Sequence, residues 1–175
     1  YFFDVDDMNI YHNTVSATGD QAFYLDDYTR LDIRNNIFST TGADVVDFND
    51  AIGPTDVIDY NIYHNSNGGI LIREVNATYT DLPSWIIANV STQDLNSLSG
   101  DPIYKDIATG DLHIVGGLPN DVGDNSVPVA KDIDGEGRPL APSTVRDIGA
   151  DEYTPLDDDA RTVGIIFKGA SCPTT

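Results

Sequence analysis

Basic residues and cysteine are scarce in this chain of 175 residues. Nine lysines and arginines stand against 29 aspartates and glutamates, so the formal net charge at pH 7 is −20. Such a surface repels polyanions, and no cluster of basic residues offers a track for phosphates, which excludes nucleic acid as a partner. The one cysteine, Cys172, has no second cysteine with which to form a disulfide inside the chain.

Long apolar runs are lacking as well. No stretch approaches the roughly 18 apolar residues that a membrane-spanning helix requires, and none has the composition of a signal peptide. We therefore expect no membrane insertion. Hydrophobic residues still make up 40% of the chain, which is enough for a packed core and excludes disorder on grounds of composition.

The chain does contain an internal repeat. Residues 14–25 align without a gap on residues 37–48, and a looser third copy runs over residues 62–72. A short apolar strand ending in asparagine precedes each copy and contains Ile10, Ile33 or Ile58 at equivalent positions. Repeats of about 20 to 50 residues are typical of stacked arrays, in which each unit buries its apolar face against its neighbours.

Each unit holds two or three short strands separated by Gly, Asn, Asp and Thr turns, with no helical periodicity. The pattern predicts an all-β fold, a parallel β-solenoid whose coils occupy residues 1–75. The repeat places Phe2 at the position of Leu25 and Phe48, so the first coil presents an apolar face. We therefore expect the coils to continue upstream and the chain to be part of a longer protein.

Residues 76–153 break the repeat. Asp81 followed by Pro83 predicts an N-cap and first turn of a short helix that extends through Ile87 and carries Trp85 as a packing anchor. Further along, Asp134-Gly135 predicts a tight turn. We expect Arg138 near that turn to pair with Asp147 or Asp151, all in structural roles.

Three asparagines, Asn13, Asn36 and Asn61, fall at equivalent places, each after a strand with a buried isoleucine. Stacked asparagines hydrogen-bond along the stack and to the turn backbone, so we interpret them as structural residues. The alternative is a row of polar ligands.

Acidic residues recur along one strand of successive coils. Asp4 and Asp6, then Asp26 and Asp27, then Asp50 follow the same strand. Oxygen-rich stacked edges can bind Ca²⁺, so these five residues are a candidate calcium edge and Ca²⁺ a candidate cofactor. The alternative is a solvated acidic rim.

Four segments, residues 101–104, 111–114, 132–139 and 147–153, resemble the C-terminal end of bacterial right-handed parallel β-helix proteins. These are the pectate-lyase-like surface and secreted proteins, many of them from Bacteroidota. The resemblance implies a right-handed β-helix with a C-terminal cap over residues 76–153, and an extracellular or cell-surface location. It is silent on activity, because the same scaffold carries lyases, hydrolases, adhesins and spacers.

Residues 154–175 begin with an acidic linker and continue with one apolar strand. This tail resembles the opening strand of the immunoglobulin-like repeats in large modular adhesins secreted by gliding Bacteroidota. The resemblance implies that a further module follows the cap.

Catalytic groups are few. A polysaccharide lyase needs a base beside groups that neutralise a uronate carboxylate, and Arg30, Arg34 and Arg73 are the only basic residues on the coils. The three histidines lack zinc-site spacing and no cysteine accompanies them. The sequence leaves open whether the chain is an enzyme. Its residues favour the absence of catalytic activity in this segment.

Two functional hypotheses remain. The first is a non-catalytic β-helix module of a secreted or cell-surface protein, acting as an adhesive or carbohydrate-facing stalk with a polysaccharide or cell-surface glycan as its partner. The alternative is the C-terminal end of a polysaccharide lyase or glycoside hydrolase whose catalytic coils lie upstream.

Overall fold

The computed structural model describes residues 1–89 and 92–154, and these are mostly β with one α-helix. The first nine strands are β1 (Phe2–Val5), β2 (Met8–Tyr11), β3 (Thr14–Ala17), β4 (Phe23–Tyr28), β5 (Leu31–Arg34), β6 (Ile37–Thr40), β7 (Asp44–Phe48), β8 (Val57–Asp59) and β9 (Ile62–Asn65). The chain continues with β10 (Ile70–Glu74), β11 (Ala77–Tyr79), helix α1 (Leu82–Ala88), β12 (Leu98–Ser99), β13 (Tyr104–Asp106), a 3₁₀ turn (Ile107–Thr109) and β14 (Asp111–Ile114). No helix in the described ranges has the length and apolar character needed to cross a membrane.

Every third strand in chain order pairs in parallel with the one before it, and the pairs form three sheets. Sheet A has the order β1-β4-β7-β10-β11, sheet B the order β2-β5-β8 and sheet C the order β12-β9-β6-β3. Strand β11 joins sheet A antiparallel to β10, and β13 and β14 form a separate antiparallel hairpin. Each successive unit of the chain therefore adds one strand to each of the three sheets.

The pairing register predicted from the repeat is confirmed in all three sheets. Leu25 pairs with both Phe2 and Phe48 in sheet A. In sheet B, Ile33 lies between its equivalents Ile10 and Ile58. In sheet C, Ile37 lies between Thr14 and Ile62.

The link from sheet B to sheet C bends in the same way in each unit. His12, Asn35 and Tyr60 occupy equivalent positions and have φ angles of 52°, 60° and 54°. This left-handed conformation is uncommon outside glycine and turns the chain sharply after a strand. The next residue in each unit is one of the three predicted asparagines.

Asn36 lies between the other two asparagines and is fully buried. Its Oδ1 accepts hydrogen bonds from the backbone N and Nδ2 of Asn13, at 2.9 and 3.1 Å. Its own backbone N and Nδ2 donate to Oδ1 of Asn61, both at 3.0 Å. The amides thus connect successive units and satisfy polar groups at the bend.

The main core contains side chains from all three sheets. Side chains alternate between the two faces of a strand, and one face of each sheet contributes to this cluster, with Leu25 from sheet A, Ile33 from sheet B, and Phe38 and Tyr63 from sheet C. All four are at most 1% exposed. Their burial stabilises the stack of units by the hydrophobic effect.

Helix α1 confirms the predicted capping pattern. The Asp81 side chain accepts a hydrogen bond from the backbone N of Ser84, and Pro83 lies in the first turn. Trp85 is fully buried, stacks on Phe48 with ring centroids 6.3 Å apart, and joins the main core. The predicted anchoring role of Trp85 therefore agrees with its position.

A second, smaller core lies on the other face of sheet C. Ile37 and Ile62 contact Ile114 and Ile148 from the C-terminal region. Gly149 approaches the sheet so closely that an added Cβ would lie 2.6 Å from a carbon of Ile37, and its φ of 104° is also unsuited to other residues. Glycine is therefore required where this region, residues 101–154, packs on the sheet. We call residues 101–154 the cap, a narrower range than the predicted 76–153, because helix α1 packs on the main core instead.

Arg138 does not pair as predicted. Its Nη1 donates to Oε1 of Glu152 at 2.7 Å, in an ion pair whose two side chains are 1% and 2% exposed. The prediction of Asp147 or Asp151 as partner was wrong, because Glu152 also accepts from the backbone N of Leu140 and so lies within reach of this loop. Arg138 additionally donates to the carbonyl of Gly149 at 3.0 Å.

Asp147 instead holds two backbone amides of the cap. It accepts hydrogen bonds from the backbone N of Asp121 at 2.7 Å and of Tyr153 at 2.6 Å. Burial raises the pKa of Asp147 to about 6.

The turn at Asp134-Gly135 is tight, and Gly135 has a φ of 86°. The backbone N of Gly135 donates to the carbonyl of Asp132 at 3.3 Å, and the Asp132 side chain accepts from the backbone N of Glu136 at 2.7 Å. The predicted linker and immunoglobulin-like strand, from residue 155 on, lie outside the described residues.

Candidate functional site

A groove of about 400 Å³ lies between sheet C and the first part of the cap. It is lined by Ser16, Ser39, Thr40, Thr41, His64, Ser66, Asp101, Ile103, Tyr104 and Ile107. We call it the sheet C groove. One wall belongs to the strands and their turns, and the other to the chain around β13.

The strand wall is a row of polar side chains in register. Ser16, Ser39 and His64 pair across β3, β6 and β9, so neighbouring members of the row are about 4.8 Å apart. Ile37 and Ile62 lie two residues before Ser39 and His64 on the same strands, and both belong to the small core. Because side chains alternate, the polar row lies on the same face as these isoleucines, beyond the edge of the small core.

The opposite wall is largely apolar. Ile103 and Ile107 are 47% and 55% exposed, although they line the groove. Tyr104 connects the two walls, since its hydroxyl lies 2.9 Å from Oγ of Ser39. Burial raises the pKa of Tyr104 to about 12, so the phenol is protonated at neutral pH and can donate a hydrogen bond.

Some hydroxyl groups of the groove serve the fold. Oγ1 of Thr40 donates to the carbonyl of Asp20 at 2.5 Å and accepts from the backbone N of Gly42 at 2.7 Å. The His64 imidazole and the Ser16 hydroxyl, in contrast, have no hydrogen-bond partner among residues 1–89 and 92–154. These two groups are available to a ligand.

The groove therefore combines free hydrogen-bonding groups on one wall with exposed aliphatic side chains on the other. Within the described chain, no carboxylate is hydrogen-bonded to His64, so the imidazole lacks the orienting partner found in acid–base and nucleophilic sites. The chemistry that these residues support is binding of a neutral, amphipathic ligand.

The three arginines within residues 1–75 all form ion pairs with aspartates. The ion pairs are Arg30 with Asp7 at 2.7 Å, Arg34 with Asp32 at 2.6 Å and with Asp124 at 2.7 Å, and Arg73 with Asp44 at 2.8 Å. Arg34, which joins sheet B to the cap, is only 19% exposed. None of the three thus presents a free cation to a uronate.

The five residues of the candidate calcium edge lie on or beside β1, β4 and the turn after β7. Asp26 accepts from Nδ2 of Asn49 at 2.8 Å, Asp50 from the backbone N of Asp27 at 2.6 Å, and Asp6 from Oγ1 of Thr29 at 2.9 Å. Among the described residues, no three of these carboxylates meet at metal-ligand distance. Calcium binding by Asp4, Asp6, Asp26, Asp27 and Asp50 stays a prediction.

The sequence contained a partial signal for the groove. The repeat alignment pairs His64 with Ser39, so the polar row could be read from it. The apolar wall could not, because Ile103, Tyr104 and Ile107 lie outside the repeat and reach sheet C only through the packing of the cap.

Comparison with known proteins adds no assignment: no family model, no curated protein and no solved structure matches this chain.

Proposed function

We propose that this chain is a right-handed parallel β-helix with a C-terminal cap, and that it is a non-catalytic module of a secreted or cell-surface protein that binds a neutral glycan in the sheet C groove. The observation that carries the function is the groove itself, with its unpartnered His64 and Ser16 opposite the exposed Ile103 and Ile107.

The sheet topology supports the β-helical part of the proposal. Three parallel sheets receive one strand each from every unit, as expected when the chain winds around one core. Connections between parallel strands of a sheet are right-handed in the great majority of proteins, because of the twist of the strands. The asparagines at equivalent bends favour the same architecture.

The walls of the groove support a sugar ligand. A pyranose ring has an apolar face of C–H groups and an edge of hydroxyls, which match Ile103 and Ile107 on one side and Ser16 and His64 on the other. The net charge of −20 and the engaged arginines disfavour an acidic polysaccharide. A neutral polysaccharide or cell-surface glycan is therefore the ligand class we propose.

A surface location and membership of a modular adhesin of the Bacteroidota type are further parts of this proposal. The location rests on the resemblance of the cap segments, and the adhesin on the resemblance of residues 154–175. The alternative, the end of a lyase or glycoside hydrolase, would place the catalytic groups outside this chain. No described residue favours that alternative.

The test is binding of the full chain to a panel of neutral and acidic polysaccharides by affinity gel electrophoresis, followed by calorimetry on any that bind. We expect a neutral glycan to bind, and His64→Ala or Ile107→Ser to weaken it at least about tenfold, which corresponds to about 1.4 kcal/mol. Thr78→Ala on β11, an exposed residue outside the groove, is the control and should bind as the unmodified protein does.

Two results would contradict the proposal. One is an absence of retention on every neutral polysaccharide tested. The other is binding that His64→Ala and Ile107→Ser leave unchanged, since the ligand would then occupy another surface.

A further inference from the structure

Three segments of the cap bring a histidine and two aspartates together. His113 lies on β14, Asp134 on the tight turn before Arg138, and Asp151 near the end of the described chain. One ligand atom from each of the three residues lies within 4.8 Å of the others. His113 and Asp151 also line a cavity of about 350 Å³, which is separate from the sheet C groove.

The His113 ring is oriented by hydrogen bonds. Its Nδ1 lies 2.5 Å from Oδ1 of Asp111, and Asp111 also forms an ion pair with Lys105 at 3.1 Å. Its Nε2 lies 3.1 Å from Oδ2 of Asp134. A carboxylate on one ring nitrogen, with the other nitrogen directed to further ligand atoms, is the arrangement that metal-binding histidines commonly have.

Asp151 is the buried member of the cluster. The residue is 93% buried, since its relative exposure is 7%. Oδ2 accepts a hydrogen bond from the backbone N of Ile114 at 2.8 Å, whereas Oδ1 has no donor within residues 1–89 and 92–154. Oδ1 is not fully buried, so solvent or a cation can reach it.

We propose that His113, Asp134 and Asp151 bind one Zn²⁺ ion in the cap. The set of one imidazole nitrogen and two carboxylate oxygens suits zinc, whose bonds to these atoms are about 2.0 to 2.2 Å long. Calcium and magnesium prefer oxygen ligands alone. Three protein ligands leave a fourth coordination position for a water molecule.

Binding of the ion links three segments that are distant in the sequence. Each segment is a turn or a short strand, with little core of its own. An ion that binds only the folded cap stabilises it by mass action. Zinc would thereby hold β14 and the turn at Asp134 against the segment from Ile148 to Asp151, whose Ile148 contacts sheet C.

The experiment is calorimetric titration of the full chain with ZnCl₂ in a Cys172→Ser background, so that the thiol cannot take up the ion. We expect one Zn²⁺ per chain and weaker binding of CaCl₂. His113→Ala and Asp134→Asn should each weaken zinc binding at least about tenfold. Asp134 is 57% exposed in its side chain, so its variant should fold normally, which circular dichroism verifies.

Two further variants sharpen the result. Asp111→Asn removes the group that orients His113 without removing a ligand, and we expect affinity to fall about 10- to 100-fold. His64→Ala removes a histidine outside the cluster and should leave zinc binding unchanged.

The proposal is overturned if the Cys172→Ser protein takes up no zinc, because His113 then serves only as the cation of an ion pair with Asp111 and Asp134. It is equally overturned if zinc binds to Asp134→Asn as tightly as to the Cys172→Ser protein, or if CaCl₂ binds more tightly than ZnCl₂.

Discussion

Among single residues, His12 has a protonation state that is determined by its contacts. Its Nδ1 donates to the carbonyl of Gly149 at 3.2 Å, and its Nε2 accepts from Nδ2 of Asn35 at 2.9 Å. Both bonds together require the neutral ring with the proton on Nδ1. Burial, with the nearby charge of Arg138 as a second cause, lowers the pKa of His12 to about 3.

This pKa predicts an acid-sensitive contribution to stability. In the unfolded chain histidine titrates near pH 6.5. Because the folded-state value is lower, the contribution of His12 is present above about pH 6.5 and is lost as the pH falls towards 3. We expect the difference in unfolding free energy between the unmodified protein and His12→Asn to shrink by about 2 to 3 kcal/mol between pH 7 and pH 4.5.

Urea titrations at both pH values measure this difference. Asparagine tolerates the positive φ of the position, so the backbone should not change. Asp94 titrates in the opposite sense, because burial raises its pKa to about 6, and its contribution to stability is lost as the pH rises from about 4 to 6. Asp94 is present in both proteins, so its contribution cancels when the two unfolding free energies are subtracted. An equal free-energy difference at both pH values would refute the assignment to His12.

At the scale of the elements, the asparagines are the polar connection between successive units. Besides its neighbours in the stack, Asn36 binds backbone of two strands, as its Nδ2 donates to the carbonyls of Ile10 at 2.9 Å and Arg34 at 3.0 Å. Asn13 occupies the same place in the preceding unit but is exposed. The two residues therefore occupy equivalent positions and form similar hydrogen bonds to the next asparagine, but they differ in burial.

We predict that Asn36→Ala lowers the unfolding free energy by about 3 kcal/mol, because it leaves several buried polar groups without partners. Asn13→Ala should cost about 1 kcal/mol or less, since water can replace its bonds. Chemical denaturation of both variants at neutral pH provides the comparison. Equal losses for the two variants would show that burial of the amide does not matter here.

For the whole molecule, the question is whether the cap and the three sheets unfold together. The small core, the backbone bond from Gly149 to the carbonyl of Asn35 at 2.8 Å, and the Arg34–Asp124 ion pair all join them. The buried Arg138–Glu152 pair lies within the cap. Trp85, the one tryptophan of the chain, lies in the main core.

We predict that Arg138→Met lowers the unfolding free energy by about 3 to 5 kcal/mol, because Glu152 is left as a buried, unpaired charge. The fluorescence of Trp85 should report the full loss, although the substitution is in the cap. Arg30→Met removes an ion pair whose side chains are 55% and 65% exposed, and it should cost no more than about 1 kcal/mol. A cap that melts before the Trp85 signal changes would disprove the coupling.

The sequence by itself determined the elements that repeat locally. The period placed Leu25, Ile33 and Ile37 opposite their equivalents, and the Asp81 cap with Pro83 placed the helix. These features could be predicted because strand alternation, capping and unit-to-unit pairing depend on short stretches and a constant spacing.

Only the tertiary structure decided how the cap meets the sheets. The pairing of Arg138 with Glu152, the second wall of the groove at Ile107 and the meeting of His113 with Asp151 join segments that share no period. Their positions follow from the packing of Ile114 and Ile148 on Ile37 and Ile62. Packing of this kind depends on shape and burial rather than on local sequence pattern. The groove and the histidine–aspartate cluster are therefore visible only in the tertiary structure.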